Sequence, residues 1–167
     1  AVRVIRRIEA MGELDAIEQP VVKSDLLGLA EIRRQVTTPV MIDETVFSLA
    51  EAMMAIRLNS ADAINIKICK VGGLYPATRI AGMAAAAGLA CTVGSNLELG
   101  VGIAASLHFA ASNPAVTLPA DFICGAYLHD GDVTAIPARD EVVDGCSAPS
   151  EQPGLGVELS RAVREAV

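Results

Sequence analysis

Five polar residues punctuate the apolar segments of this 167-residue chain at an even pace. Glu18, Asp43, Lys67, Asn96 and Asp121 follow one another at intervals of 24 to 29 residues, each closing a run of strand character. The second raises the sharpest question, because Pro39-Val40-Met41-Ile42 runs directly into two adjacent carboxylates, Asp43 and Glu44. Burying one carboxylate is costly, and a like charge beside it raises the cost. If Glu18 and Asp43 point inward from neighbouring strands, they repel unless a cation lies between them, and ligation by oxygen alone suits a hard ion such as Mg²⁺. A lysine near that ion and partly withdrawn from water would have its pKa lowered, which would fit Lys67 for work as a general base. Taken singly, a strand-end Asp more often caps a helix or turn, and a strand-end Lys usually faces solvent. It is the joint spacing that points to chemistry.

The elements that must position these residues alternate along the chain. Residues 1–15 read as an amphipathic helix, 13–19 as a strand and 24–36 as a helix, followed by a strand over 39–44. Ser48-Leu-Ala-Glu51 has the spacing of a capping box and opens a helix running to about Leu58. The β-branched run 62–69 predicts a strand, and Pro76 suits the first turn of a helix ending near Gly88. A strand over 90–96, a helix over 99–112 and a final strand over 115–122 complete the pattern. Such alternation implies βαβ units and a parallel sheet. Five units, each delivering a polar group at its strand's C-terminal end, point to a (β/α) barrel with its site at that face. An open doubly wound sheet is the alternative, although it concentrates ligand contacts at one switch point and no G-x-G-x-x-G or P-loop follows a strand here. Strand alternation puts Asn65 and Lys67 on one face, toward the barrel interior, and Ile64, Ile66 and Ile68 on the other, toward outer helices.

Composition sets the outer bounds. The chain is 52% hydrophobic and 20% charged, with aromatics at only 3%, so its core is built from Ala, Val, Ile and Leu. A net charge of −7 argues against nucleic acid or an anionic membrane surface as partner. Mean hydropathy is high at +0.45, yet the most apolar stretch, 80–94, is broken by Gly82, Gly88 and Gly94 and is too short to span a bilayer. The N-terminal helix lacks the form of a signal peptide. None of the four cysteines, Cys69, Cys91, Cys124 and Cys146, sits in a C-x-x-C pair. Reduced, packed thiols in a cytoplasmic protein are the expectation, with Cys69 and Cys91 inside strands.

The segments AIEQPV (16–21), PVMIDET (39–45), DAINIKICKVGGL (62–74), GSNLELGVGIAASLHFAAS (94–112) and PGLGVELS (153–160) also resemble the enolase superfamily, in its mandelate racemase/muconate lactonizing group. The resemblance covers essentially the whole chain and implies the C-terminal part of a modified (β/α)7β barrel. It divides the chain into a partial barrel over 1–125, of about five βα units, and a tail of short strands and turns over 126–167 that packs toward a capping domain. In this family a Mg²⁺ ion, replaceable by Mn²⁺, stabilises the enediolate formed when a base removes the proton α to a carboxylate. The resemblance makes Glu18 and Asp43 metal ligands, with Glu44 turned away to support the site, and makes Lys67 the acid/base. Lys70 completes the K-x-x-K-x-G-G motif, either solvated or in the supporting layer. Asp121 falls where muconate cycloisomerases carry an acidic residue. Asn96 and Glu98 either contact substrate or cap the following helix.

Departures from the family narrow these expectations. A first metal-binding Asp and a K-x-K lysine belong upstream of residue 1, so the chain alone is expected to be inactive. Where glucarate dehydratase-like members carry a catalytic His, this chain has Gly94, which weakens His-dependent dehydration and mandelate racemisation. His108 reads as a packed helix residue and His129 as a loop residue. Dipeptide epimerases show D-x-D at the last strand; Asp121-Phe122-Ile123 departs from that pattern. The resulting expectation is a Mg²⁺-dependent cycloisomerase acting on a small carboxylate, cytoplasmic and homo-oligomeric. Racemisation or epimerisation comes next, then dehydration; a non-catalytic homologue is the reading of another class.

Overall fold

Period-two alternation sorts the strand side chains onto two faces. A computed structural model describes residues 1–121, 131–136 and 142–166. Its elements run α1 (Val2–Glu9), β1 (Ile17–Glu18), α2 (Leu26–Gln35), β2 (Val40–Ile42), α3 (Leu49–Arg57), β3 (Ala63–Ile66), α4 (Ile68–Val71), α5 (Leu74–Ala86), β4 (Ala90–Val93), α6 (Gly100–Ser112) and α7 (Arg161–Ala166). Val40, Ile42, Ile64, Ile66, Cys91 and Val93 are fully buried in one apolar cluster with Leu29, Ala52, Ala55, Ala77, Ile80 and Ala84 from the helices. The four strands are parallel and lie in chain order, β1-β2-β3-β4. Their register sets Glu18 beside Met41, and Met41 beside Ala63. The fold is therefore α/β with a parallel sheet in sequential order, as the alternation predicts.

Local sequence explains the element boundaries. The Ser48 hydroxyl accepts from the Glu51 amide at 3.3 Å, and the Glu51 carboxylate accepts from the Phe47 amide at 2.9 Å, so the capping box forms. Below the sheet, Arg33 donates to Asp62 Oδ1 while Asp62 Oδ2 accepts from the Val40 amide at 2.9 Å, fixing where β2 begins. The predicted strand 62–69 stops at Ile66, because Lys67 caps a one-turn helix, α4, that ends on Gly72 at φ +92. That left-handed turn is cheap only for glycine. Cys69 accordingly lies in a helix rather than a strand, and it is exposed, as is Cys146; of the three described cysteines only Cys91 is buried. The packed-thiol expectation holds for Cys91, whose pKa burial pushes up to about 11. Cys124 and His129 lie outside the described residues, as do Phe122 and Ile123 of the departing D-x-D position.

The fifth strand is interrupted. Val116 and Asp121 form parallel bridges with Cys91 and Gly94, so the segment keeps its place beside β4 without a continuous ladder. Two extra residues stand between those bridges on the outer segment, and Pro119, which has no N–H to give, lies among them. The tail contains a helix, α7, that a reading of strands and turns does not foresee. Its residues 133–135 pair antiparallel with 158–160, and Asp132 Oδ1 accepts from the Gly100 amide at 2.8 Å, capping α6 from a distance in sequence. Among the described residues no helix is long and apolar enough to cross a membrane.

Candidate active site

Parallel strands in sequential order bring their C-terminal ends to one edge, and the polar residues singled out by spacing gather there. Glu18 ends β1, Asp43 follows β2 and Lys67 follows β3. Glu18, Asp43 and Glu44 line one open cleft of about 600 Å³, with Gln19, Val21, Val22 and Lys23. Glu44 is exposed and faces this cleft rather than turning away beneath it.

Asp43 is the centre of charge. Its carboxylate is buried, with Lys67 Nζ donating to Oδ2 at 2.5 Å and Lys70 Nζ donating to Oδ1 at 2.6 Å. Burial works to raise the Asp43 pKa, but the two ammonium groups outweigh it and hold the carboxyl below its ordinary value. The three-residue spacing of Lys67 and Lys70 makes this possible, since one helical turn carries both amines to the same side.

The two lysines then differ. Lys70 is the deeper, 3% exposed, and also donates to the Asp43 and Asn65 carbonyls at 2.6 and 3.2 Å. It belongs to the supporting layer and is not solvated. Burial lowers its pKa, with Asp43 opposing. Lys67 is 14% exposed, well withdrawn from bulk solvent. Burial acts to lower its pKa too, but Asp43, with Glu18 and Glu44 behind it, raises it above the ordinary lysine value. That direction belongs to Lys67 paired with Asp43; the lowering expected beside a bound cation concerns a different charge environment.

Asn65 does point inward. Fully buried, it reaches across β2 to donate from Nδ2 to Glu18 Oε1 at 2.8 Å. Its Oδ1 has no hydrogen-bond partner among the described residues and packs against Gly94, where an added Cβ would stand 2.4 Å away. Among the described residues neither Asn96 nor Glu98 caps α6 through its side chain. Instead, Glu98 accepts from the Asn96 amide at 2.7 Å and from Cys69 Sγ at 2.9 Å, closing a small cluster beside α4. Asp121 is exposed and meets Gly94 through its backbone; among the described residues nothing ties its carboxylate to Lys67 or Asp43. His108 Nε2 lies 3.3 Å from the Leu155 carbonyl, a packing contact between α6 and the tail.

Sequence reasoning passed over Gln19 and Thr45. Gln19 Oε1 accepts from the Asp43 and Thr45 amides at 3.0 and 3.2 Å, and its Nε2 donates to the Thr45 hydroxyl at 2.9 Å. The available signal was an uncharged amide beside a strand-end carboxylate, too common to single out.

As for a metal, donor chemistry fits a hard cation. Glu18 and Asp43 offer oxygen from adjoining strands, and Glu44 opens on the same cleft. Among the described residues no three carboxylate, histidine or cysteine side chains converge as a complete cluster.

Residues 1–163 match the family described as enolase C-terminal domain-like. The chain is 37% identical to an L-Ala-D/L-Glu epimerase of Bacillus subtilis (strain 168), covering 94% of this chain and 42% of that protein. Muconate cycloisomerase 1 of Rhodococcus opacus is 38% identical, with 89% of this chain and 39% of that protein covered. Among solved structures, an N-succinyl Arg/Lys racemase from Bacillus cereus ATCC 14579 superposes with a TM-score of 0.84 at 33% identity, covering 98% of this chain and 43% of that one. A dipeptide epimerase from Enterococcus faecalis V583, complexed with Mg and the dipeptide L-Leu-L-Tyr, gives 0.68 at 33% identity over 71% of this chain and 34% of that one. The chain spans about two fifths of the length of the curated relatives it matches.

Proposed function

This chain belongs to the enolase C-terminal domain-like family, and from that premise we propose that the full-length protein is an isomerase that removes the proton next to a substrate carboxylate. One observation carries the reading: Lys67 pairs with Asp43 beside Glu18, three groups delivered by three successive parallel strands. Lys67 is the acid/base of this proposal. To accept a proton it must first lose one and part from Asp43. Lys70, fixed on the other oxygen, keeps that carboxylate partnered when it does.

Glu18 and Asp43 are the residues that would hold a divalent cation, Mg²⁺ with Mn²⁺ as substitute. Bound there, the ion would supply positive charge against the second negative charge that develops on the substrate carboxylate. A full shell requires a further oxygen ligand that the described residues do not supply. Asn65 steadies Glu18, and Glu44 adds negative charge at the mouth of the cleft. Asp121, Asn96 and Glu98, at the later strand ends, form the substrate-facing side of the proposal. Residues 1–125 are its barrel portion and 126–167 a tail directed toward a capping domain, in a cytoplasmic, homo-oligomeric enzyme.

Racemisation or epimerisation comes first among the isomerisations, supported by the 37% identity to an epimerase and by the likeness to the structure of an N-succinyl Arg/Lys racemase. Cycloisomerisation, which the sequence motifs favoured, is the second reading and rests on the 38% identity to a muconate cycloisomerase. Full-length protein with Mg²⁺ in D₂O, offered N-succinylamino acids, dipeptides and muconate, should exchange solvent deuterium into the α-carbon of at least one of them, directly or, for muconate, in the lactone it forms. An inverted stereocentre selects the first reading, a lactone the second. Lys67→Ala should lower the rate about 10²–10⁴-fold, the usual share of general acid–base catalysis, while Mg²⁺ binding persists. Absence of exchange with every substrate, or full turnover by Lys67→Ala, would refute the assignment.

A further inference from the structure

We propose that Gln19 is a positioning residue whose side-chain amide continues the β1–β2 ladder past the end of β1 and so sets how Asp43 stands relative to Glu18. The inference rests on the reading of Glu18 and Asp43 as metal ligands. It begins with the backbone. The Gln19 amide donates to the Met41 carbonyl at 2.9 Å, continuing the ladder one residue beyond Glu18, after which the chain swings away at φ +40 into Pro20. A left-handed conformation is strained for a residue with a Cβ, and such strain persists where surrounding contacts enforce it.

Here the backbone bond to Met41 is joined by contacts from the glutamine side chain. On β2 the amides of Asp43 and Thr45 continue beyond the last rung, where no further β1 carbonyl faces them. Gln19 Oε1 accepts from both, at 3.0 and 3.2 Å. Its Nε2 donates to the Val21 carbonyl at 3.0 Å and to the Thr45 hydroxyl at 2.9 Å, and that hydroxyl in turn lies 3.1 Å from the Lys23 carbonyl. Thr45 is buried and Gln19 half-buried at the wall of the cleft, so the Thr45 end of this small network is withdrawn from water. A primary amide is a peptide group in miniature, with one acceptor and two donors in a plane. Glutamine at 19 therefore stands in for the peptide that β1 no longer provides. The residue before it is Glu18 and the amide it holds belongs to Asp43, so a single side chain ties both carboxylates to one frame.

Mn²⁺ binding to the full-length protein, followed by the electron paramagnetic resonance of the free ion, tests this without any substrate. Gln19→Leu puts an apolar side chain of similar bulk there and removes every side-chain hydrogen bond. It should weaken Mn²⁺ binding about 10–100-fold, the usual effect of removing a group that orients a metal ligand. Thr45→Val should weaken it in the same direction and by less, while Thr45→Ser should keep wild-type affinity. Thermal unfolding of each variant supplies the contrast, since a purely structural role would lower Tm and leave Mn²⁺ affinity unchanged; that result overturns the proposal. Should Gln19→Leu fail to fold, Thr45→Val decides, and unchanged affinity in it overturns the proposal. Asp43→Asn separates the two layers. If it loses Mn²⁺ and Gln19→Leu does not, the positioning role falls and the metal reading stands. If Asp43→Asn binds Mn²⁺ like wild type, the metal reading falls and this proposal with it.

Discussion

Gly94 and Asn65 have to be chosen together. Asn65 spends its amide on Glu18 and packs its carbonyl oxygen against the Cα of Gly94, so any side chain at 94 would invade that oxygen. A side chain at position 94 would therefore have to displace the Asn65 amide that holds Glu18. Gly94→Ala is expected to cost about 1–3 kcal/mol, as overpacking of a filled interior does. Adding Asn65→Ala to it should recover part of that loss, and urea unfolding of the four variants of this cycle measures the coupling. A neutral Gly94→Ala would show that the site relaxes freely. At this scale the residue types were legible in the chain, and Glu18, Asp43 and Lys67 converge from spacing alone. Which of two lysines lies deeper was not, because burial depends on what α4 packs against.

The elements are joined by side chains that periodicity does not mark. Glu9, in the last turn of α1, accepts through one oxygen from the amides and hydroxyls of Thr37 and Thr38 at 2.8–2.9 Å, stapling α1 to the turn that starts β2. Those hydrogen bonds, led by the Thr38 amide, lower its pKa from the ordinary 4.5 to about 2. A depressed carboxylate stabilises the fold fully above its unfolded pKa and loses that contribution as pH falls through its folded one. The Glu9 contribution is accordingly present above pH 4.5 and gone below about pH 2. Glu9→Gln should lower Tm at neutral pH and flatten the fall of Tm between those two values; an acid limb of unchanged slope would refute the staple. The amphipathic helix itself could be read from its charges, and the capping box at Ser48 from its spacing. The staple could not, since its partners lie 28 and 29 residues away.

For the whole molecule, three successive strands supply two carboxylates and a paired amine at one sheet edge, and no further carboxylate among the described residues completes the set. Proton abstraction next to a carboxylate draws on both the stabilised charge and the base, and each contributes its own share of the rate. It follows from the proposed function that purified 1–167 should fail to exchange substrate α-protons in D₂O under conditions where the full-length protein succeeds. Exchange by the isolated chain would mean that these strands hold a sufficient site by themselves.

By itself the sequence determined the alternation of strands and helices and the polar residues Glu18, Asp43 and Lys67 at or just past the ends of β1, β2 and β3, because period and turn chemistry are local; β4 ends at Val93, three residues short of Asn96. Only the tertiary structure decided that Lys70 is buried under Asp43, that Glu44 faces the cleft, that Gln19 bridges two strands and that the fifth strand breaks around Pro119. Each of those depends on distances between residues far apart in the chain, and on the burial they create together, which no local pattern encodes.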